Sequence, residues 1–110
     1  MVEIKGTDEF EGWYLGLNEA DTRAVNRLVD LLEQAGVSLG HPYSSALKGT
    51  KYAFRELRHR GEPPLRIVYA FDPERAAVLL IGGDKRGDDR FYERIIPLAE
   101  RIWEQYLQEL

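Results

Sequence analysis

The sequence predicts an α+β fold in which two helices precede three consecutive strands and a third helix closes the chain. Apolar residues recur at helical spacing through the first 35 residues and again after Asp88. Between Leu65 and Phe71 apolar residues instead recur at every second position, which is typical of a strand. The turns between consecutive strands are short, so we expect these strands to pair antiparallel.

The two N-terminal helices are predicted from an apolar stripe and a polar residue at each start. Thr7 or Asp8 can cap the first helix, Asn18 can cap the second, and Gly36 is expected to end it. A short strand is expected before them, at residues 2–6. The apolar stripe of the first helix follows the spacing i, i+3, i+4 and i+7, at Phe10, Trp13, Tyr14 and Leu17.

The middle of the chain is expected to hold the three strands, at residues 52–60, 65–71 and 76–81. Phe54 and Leu57 do not share parity, so the first of these strands needs a bulge or burial on both faces. Residues 37–50 are rich in Gly, Pro and Ser and are predicted to form a loop.

Glycine and proline mark the limits of the last two elements. Gly82-Gly83 is expected to end the third strand, which is apolar enough to be covered on both faces. Asp88 or Asp89 can cap the last helix. Pro97 lies within the apolar pattern of that helix and is expected to kink or break it.

Composition limits the classes of function. The chain has 110 residues, a formal net charge of −4 and no cysteine, which fits one domain and excludes disulfides, thiolate metal sites and cysteine nucleophiles. Two histidines are too few for a multi-histidine metal cage, so no metal is expected. No stretch approaches the roughly 20 apolar residues of a membrane span, and the N-terminus lacks a signal-peptide pattern. We therefore expect a cytoplasmic protein without a membrane partner.

The charge is unevenly distributed. Residues 1–40 carry three bases and eight acids, a net −5, whereas residues 41–71 carry six bases and two acids, a net +4. The acidic total argues against a protein that coats nucleic acid indiscriminately. The basic middle segment is nevertheless a candidate site for an anion.

Three arginines form the first candidate site. Arg58 and Arg60 share one face of their predicted strand, and Arg66 follows across the next turn. Guanidinium groups on one face repel each other unless an anion or carboxylates meet them, so the set indicates a phosphate site. The alternative is a solvated face balanced by Glu56 and Glu62.

The second candidate site is the glycine-containing segment 82–88, which carries Lys85 and Arg86. Its place between a buried strand and a helix suits anion binding, whereas the alternative is a flexible turn. The phenol of Tyr92 can act as an acid or as a stacking surface. His59 is expected to be a surface or partly packed residue and not a general base, and His41, in a loop before Pro42, has no visible partner.

Five short motifs follow one another along the chain: Leu47-Lys48-Gly49, Glu56-Leu57-Arg58, Leu65-Arg66-Ile67-Val68-Tyr69, Gly83-Asp84-Lys85-Arg86 and Phe91-Tyr92-Glu93. In their order and spacing they resemble the RelE/ParE toxin superfamily. The phage-derived HigB-like branch of type II toxin–antitoxin systems is the most similar. The resemblance covers nearly the whole chain.

The resemblance implies a helical hairpin packed on a small twisted antiparallel sheet, followed by a C-terminal helix. It also implies a ribosome-dependent, metal-independent mRNA endoribonuclease that inhibits translation and needs no cofactor. In such a reaction the RNA 2′-OH attacks its own phosphate while the protein supplies cations and proton transfer. The implied partners are a helix-turn-helix antitoxin, with a heterotetramer as one assembly, and the ribosome with its mRNA.

The family's functional residues correspond to eight positions of this sequence. The matching catalytic positions are Arg66, Arg58, Lys85 and Tyr92, and the matching RNA-binding positions are Lys48, Lys51, Arg60 and Arg86. Two departures stand out: the chain is acidic, and Asp84 occupies a region where several relatives carry a histidine. ParE-like inhibition of DNA gyrase therefore stays open, as does a weakened toxin that acts mainly by binding its antitoxin.

Overall fold

The computed structural model describes all 110 residues as three α-helices and one five-stranded sheet. The helices are α1 (Asp8–Leu15), α2 (Glu19–Ala35) and α3 (Phe91–Gln108). The strands are β1 (Ile4–Gly6), β2 (Ser44–Ala46), β3 (Arg55–Arg58), β4 (Leu65–Phe71) and β5 (Ala77–Asp84). Within the sheet they lie in the order β1-β5-β4-β3-β2. None of the three helices combines the length and the apolar character that a membrane span requires.

Both N-terminal helices begin where the sequence predicts, and α2 also ends there, but α1 ends at Leu15, so Leu17 of the predicted apolar stripe lies outside it. The Thr7 hydroxyl accepts a hydrogen bond from the Phe10 N–H at 3.0 Å, and the Asn18 side chain accepts one from the Asp21 N–H at 2.8 Å. Gly36 ends α2 with a φ of 57°, a conformation that favours glycine. These caps satisfy amide groups that have no partner inside the helix.

The start of α3 differs from the prediction. Neither Asp88 nor Asp89 caps it, since the residue before the helix is Arg90. Asp88 instead accepts a hydrogen bond from the Arg90 N–H and forms an ion pair with Arg94. The expected break at Pro97 is also wrong, because α3 runs without interruption. Pro97 is exposed, so the helix loses one hydrogen bond while its apolar face stays packed on the sheet.

Three strand predictions need correction. The segment predicted as a loop contains β2, which pairs antiparallel with β3. β5 does not end at Gly82-Gly83 but continues to Asp84, paired with β4. The sheet is mixed and not wholly antiparallel, because β1 pairs parallel to β5. The chain between the end of β1 and the start of β5 is long enough for the crossover connection that a parallel pair of strands requires.

The sheet has a hydrophobic core on each face. Ile67 and Tyr69 of β4 pack against α1 and α2, whereas Val68 and Ala70 pack against α3. Leu57 and Phe54 likewise pack into opposite cores. Burial on both faces of the sheet, and not a bulge, therefore explains why these two apolar residues lie an odd number of positions apart. Alternation then places Glu56 and Arg58 on the α3 side of the sheet.

Candidate functional site

β3 and β4 bring the predicted arginines together. Arg58 lies directly opposite Arg66 in the antiparallel pair, and Arg60 follows β3. A cleft of about 320 Å³ opens beside them, and apart from two prolines and one glycine every side chain that lines it is polar or charged. We call it the arginine cleft. Its charged and titratable lining residues are Arg58, Arg60, Arg66, His41, His59 and Glu62.

The Arg66 guanidinium is held by the protein along one edge. Its Nη1 donates hydrogen bonds to the carbonyl oxygens of Leu65 at 2.9 Å and His59 at 3.1 Å. Its Nε lies 3.7 Å from a carboxylate oxygen of Glu56, and the residue is only 7% exposed. A guanidinium fixed in this way is oriented before an anion arrives and loses little freedom on binding.

Glu56 is the buried carboxylate of the site, with 6% of its surface exposed. It accepts a hydrogen bond from the Tyr92 phenol at 2.7 Å and a longer one from the Ser45 hydroxyl at 3.4 Å. Glu56 therefore links Arg66 on β4 to Tyr92 on α3. The sequence marked Glu56 only as a balancing charge and as a member of the motif Glu56-Leu57-Arg58. An acidic residue between apolar positions of a strand was the signal that could have marked it.

Tyr92 contacts both Glu56 and Lys85. Burial raises the pKa of the Tyr92 phenol, and the hydrogen bond and negative charge of Glu56 raise it further, against an opposing effect of Arg66. Tyr92 is consequently protonated at neutral pH. The Lys85 ammonium lies 5.2 Å from the centre of the Tyr92 ring, in a cation–π arrangement. The four residues predicted as catalytic thus lie in one neighbourhood.

The residues predicted to bind RNA are more dispersed. Arg60 lines the arginine cleft, whereas the exposed Arg86 side chain pairs with Asp84 at 3.0 Å. Lys48 is exposed in the loop after β2. Lys51 pairs at 3.3 Å with Glu104, about 18 Å further along α3 than Tyr92 at 1.5 Å per residue. The structure does not bring Lys51 to the arginine cleft.

Both histidines lie on the wall of the arginine cleft, a shared position that the sequence did not predict. His59 is half-buried, and its ring lies so close to Gly61 that a Cβ at Gly61 would be 2.8 Å from Nε2. His41 is exposed and reaches the cleft from the loop before β2. No sequence signal connects His41 to Arg66, because only the folding of that loop brings them together.

The two glycines of the glycine-containing segment lie against aromatic rings. A Cβ on Gly82 would overlap the indole ring of Trp13, and one on Gly83 would lie 2.7 Å from the ring of Phe91. The two glycines let aromatic rings from α1 and α3 approach the two faces of β5. The glycines therefore allow close packing on β5, and a depression of about 270 Å³ opens beside Gly82, Gly83 and Arg94.

The amino-acid sequence around the site matches a known protein family. Residues 13–104 match the family described as phage-derived protein Gp49-like. The chain belongs to this Gp49-like family. Over 101 residues this chain is 40% identical to the toxin HigB3 of Mycobacterium tuberculosis. The aligned residues make up 90% of this chain and 88% of HigB3.

Solved structures with similar folds carry the names of RelE proteins. An arginine double mutant of E. coli toxin RelE in the free state superimposes with a TM-score of 0.61 and 10% identity, covering 86% of this chain and 94% of RelE. The RelE–RelB complex of Pyrococcus horikoshii gives 0.61 and 18%, covering 78% of this chain and 97% of that chain. At these identities the likeness concerns the fold, and it confirms the predicted RelE-like α+β architecture of the Gp49-like protein.

Proposed function

We propose that this chain is the toxin of a type II toxin–antitoxin pair and cleaves mRNA on the ribosome at the arginine cleft. The observation that carries the proposal is the position of Arg66, which is held along one edge, faces Arg58 and is linked through Glu56 to Tyr92. The 40% identity to toxin HigB3 supports the same proposal.

The cationic residues would act on the phosphate. When the 2′-OH oxygen attacks phosphorus, a 2′-O–P bond forms, the P–O5′ bond breaks, and negative charge accumulates on the non-bridging oxygens. Arg66 and Arg58 would donate charge-assisted hydrogen bonds to those oxygens, which their position opposite each other in the cleft supports. No cluster of three or more His, Cys, Asp or Glu side chains is arranged to hold a metal ion. The proposal assigns the charge stabilisation to the guanidinium groups of Arg58 and Arg66, which line the cleft.

Proton transfer would use groups on two sides of the phosphate. Tyr92 keeps its proton at neutral pH, because burial and Glu56 raise its pKa, so it is the proposed donor to the departing O5′. The 2′-OH proton needs an acceptor, and the imidazoles of His41 and His59 line the cleft. Single glutamine variants at the two positions distinguish which imidazole accepts it.

The remaining cations would hold the message and the ribosome. Lys48, Lys51, Arg60 and Arg86 are all exposed, so each can reach phosphate groups outside the cleft. The proposed protein partner is a small helix-turn-helix antitoxin. A relative of the same fold was solved together with RelB, which supports a protein partner for this chain.

The deciding experiment is induction of the chain in bacteria that lack its partner. We expect protein synthesis, followed by pulse labelling, to stop before DNA synthesis, and mapped mRNA ends to show cleavage within coding regions. Arg66→Ala should abolish both effects, while Arg101→Ala, at an exposed position on α3, should leave them unchanged. An earlier loss of DNA synthesis would contradict the proposal and favour gyrase as the target.

A further inference from the structure

A second depression adjoins the arginine cleft and is lined by residues of α2 on one side. It has a volume of about 490 Å³, and because Tyr43 lines it we call it the Tyr43 pocket. Arg58, His59 and Arg60 line both the Tyr43 pocket and the arginine cleft. A chain molecule with one phosphate in the arginine cleft therefore has its neighbouring unit beside the Tyr43 pocket.

Tyr43 is the one aromatic residue of this protein whose ring has no aromatic partner. The chain has four Phe, six Tyr and two Trp residues, and all the others lie in ring pairs with centroids 5.1 to 6.3 Å apart. Every other tyrosine hydroxyl forms a hydrogen bond within the chain, whereas that of Tyr43 forms none. Tyr43 is also 42% exposed. Both its ring and its hydroxyl are therefore free to contact a ligand.

The backbone of Tyr43 is held in place although its side chain is free. Its N–H donates a hydrogen bond to the Gly40 carbonyl at 3.1 Å, and its carbonyl accepts one from the Arg58 N–H at 2.9 Å. The second bond ties Tyr43 directly to the strand that carries the cleft arginines. A ring on a fixed backbone loses little conformational freedom when a ligand stacks on it.

The arginines around the Tyr43 pocket have no acidic partner. None of Arg27, Arg58 and Arg60 forms an ion pair within the chain. On the same helix as Arg27, one turn earlier, Arg23 does pair with Glu19 at 3.4 Å. The pocket therefore combines an unpaired aromatic ring with unpaired cations from two elements of the fold.

A nucleotide of single-stranded RNA matches both properties of the pocket. The flat face of its base would stack on the tyrosine ring, and Leu28 and Leu31 would add apolar contacts. Its phosphates would pair with the free guanidinium groups. Glu19–Ala35 is otherwise acidic, with four acids and two bases, so the strand would cross α2 at Arg27 and not run along it.

We propose that the Tyr43 pocket binds one nucleobase of the RNA, next in the chain to the phosphate held in the arginine cleft. The base stacks on Tyr43, and Arg27 contacts the phosphate on the far side of that base. Stacking of this kind accepts any base, because every base has a π-face. The assignment rests on the proposed function, which makes RNA the strand in the arginine cleft.

The test titrates the full ¹⁵N-labelled chain with a 2′-O-methyl oligonucleotide of about six nucleotides. This probe has no 2′-OH, so it binds without being cleaved. A matched probe has the same sugar–phosphate chain without bases. We expect both probes to shift the amide signals of His59 and Arg66 in the arginine cleft. Only the probe with bases should shift the signals of Leu28, Leu31 and Tyr43.

Variants of Tyr43 measure the contribution of its ring. Tyr43→Ala should weaken binding of the probe with bases by roughly 5- to 100-fold, because the stacking surface is lost. Tyr43→Phe keeps the ring and should bind within about twofold of wild type. Leu15→Ala is the control, since Leu15 is 73% exposed and lies outside the pocket. Circular dichroism confirms that each variant is folded.

The salt dependence of binding tests the role of Arg27. Arg27→Gln should lower the slope of log affinity against log salt concentration by about 0.7, because one phosphate contact is lost. Arg23→Gln removes a charge from the same helix outside the pocket and should leave the slope unchanged. Both arginines are exposed, so neither substitution disturbs a core.

Three results would overturn the assignment. They are equal shifts of Leu31 and Tyr43 by the probe without bases, wild-type affinity of Tyr43→Ala, and binding by Tyr43→Phe that is as weak as that of Tyr43→Ala. Binding is read without cleavage, so a chain that binds bases at Tyr43 but cuts no mRNA refutes only the proposed function. A chain that cuts mRNA but shows no base-dependent shift at Tyr43 refutes only the pocket.

Discussion

Arg58 and Arg66 lie directly opposite each other on adjacent antiparallel strands, so two positive charges face each other across β3 and β4. Like charges in this position destabilise a sheet. Only Arg66 has a carboxylate nearby, with its Nε 3.7 Å from Glu56, and the buried Nε atoms of both arginines have no hydrogen-bond partner. The sheet therefore carries an unfavourable pair at the place where an anion would relieve it.

The first prediction concerns that pair. Arg58→Gln removes one of the two opposed charges, so we expect the free energy of unfolding to rise by about 0.5 kcal/mol. If the proposed function holds, RNA cleavage should fall at the same time, because one of the proposed phosphate ligands is lost. Urea unfolding and a cleavage assay measure the two effects, with Arg101→Gln as the control. A variant that loses both stability and activity would contradict this interpretation.

The second prediction concerns the link between Glu56 and Tyr92. Glu56→Gln removes the negative charge that helps to raise the pKa of Tyr92, so that pKa should fall. The variant should also be less stable by about 2 kcal/mol, because Arg66 stays buried without a nearby carboxylate. Titration of ¹³C-labelled tyrosine rings and urea unfolding measure these changes. Glu93→Gln, on the exposed side of α3, should change neither quantity.

The third prediction concerns stability in acid. Burial alone would raise the pKa of Asp72, but hydrogen bonds from the Tyr106 phenol and from the N–H groups of Ala76 and Glu74, with the charge of Lys5, hold it below its usual value. The unfolded chain therefore binds this proton more readily than the folded one. The stabilisation is complete above about pH 5 and is lost as the pH falls below about 4, through the folded-state pKa.

Asp72→Asn tests this pH dependence. The variant should be less stable than wild type by about 1–2 kcal/mol at pH 7, and the difference should shrink as the pH is lowered to about 3. Thermal or urea unfolding across that range provides the measurement. Asp30→Asn, at an exposed carboxylate without an ion pair, should follow the wild-type curve. A difference that stays constant with pH would show that the charge of Asp72 is not responsible.

The fourth prediction concerns the glycines of β5. Gly82→Ala places a methyl group into the ring of Trp13, so we expect a loss of about 1–3 kcal/mol from overpacking. Gly12→Ala is the matched control, because Gly12 lies in α1 with open space around it and should become more stable by about 0.5–1 kcal/mol. Chemical denaturation measures whether the free energy of unfolding falls for Gly82→Ala and rises for Gly12→Ala. An unchanged Gly82→Ala protein would show that Trp13 moves without cost.

The helices and β4 were predictable because their signals lie within neighbouring residues. The spacing of apolar side chains and the caps at Thr7 and Asn18 are local features. β2 was missed because it is three residues long and contains two serines. It forms by pairing with β3 and by burial of Ser44, whose hydroxyl hydrogen-bonds to the Tyr69 phenol at 2.6 Å. Neither interaction leaves a periodic pattern in the segment.

The residues of the candidate site also include contacts that the sequence predicts and contacts that it does not. The proximity of Arg58 and Arg66 was predictable because a short turn joins two antiparallel strands, which sets the register between residues close in sequence. The bond between Glu56 and Tyr92 joins residues 36 positions apart, and His41 reaches the cleft from a third segment. Those contacts depend on how α3 and the loop before β2 pack on the sheet. Local patterns specify elements and adjacent pairs, whereas contacts between distant elements are set by the burial of both cores together.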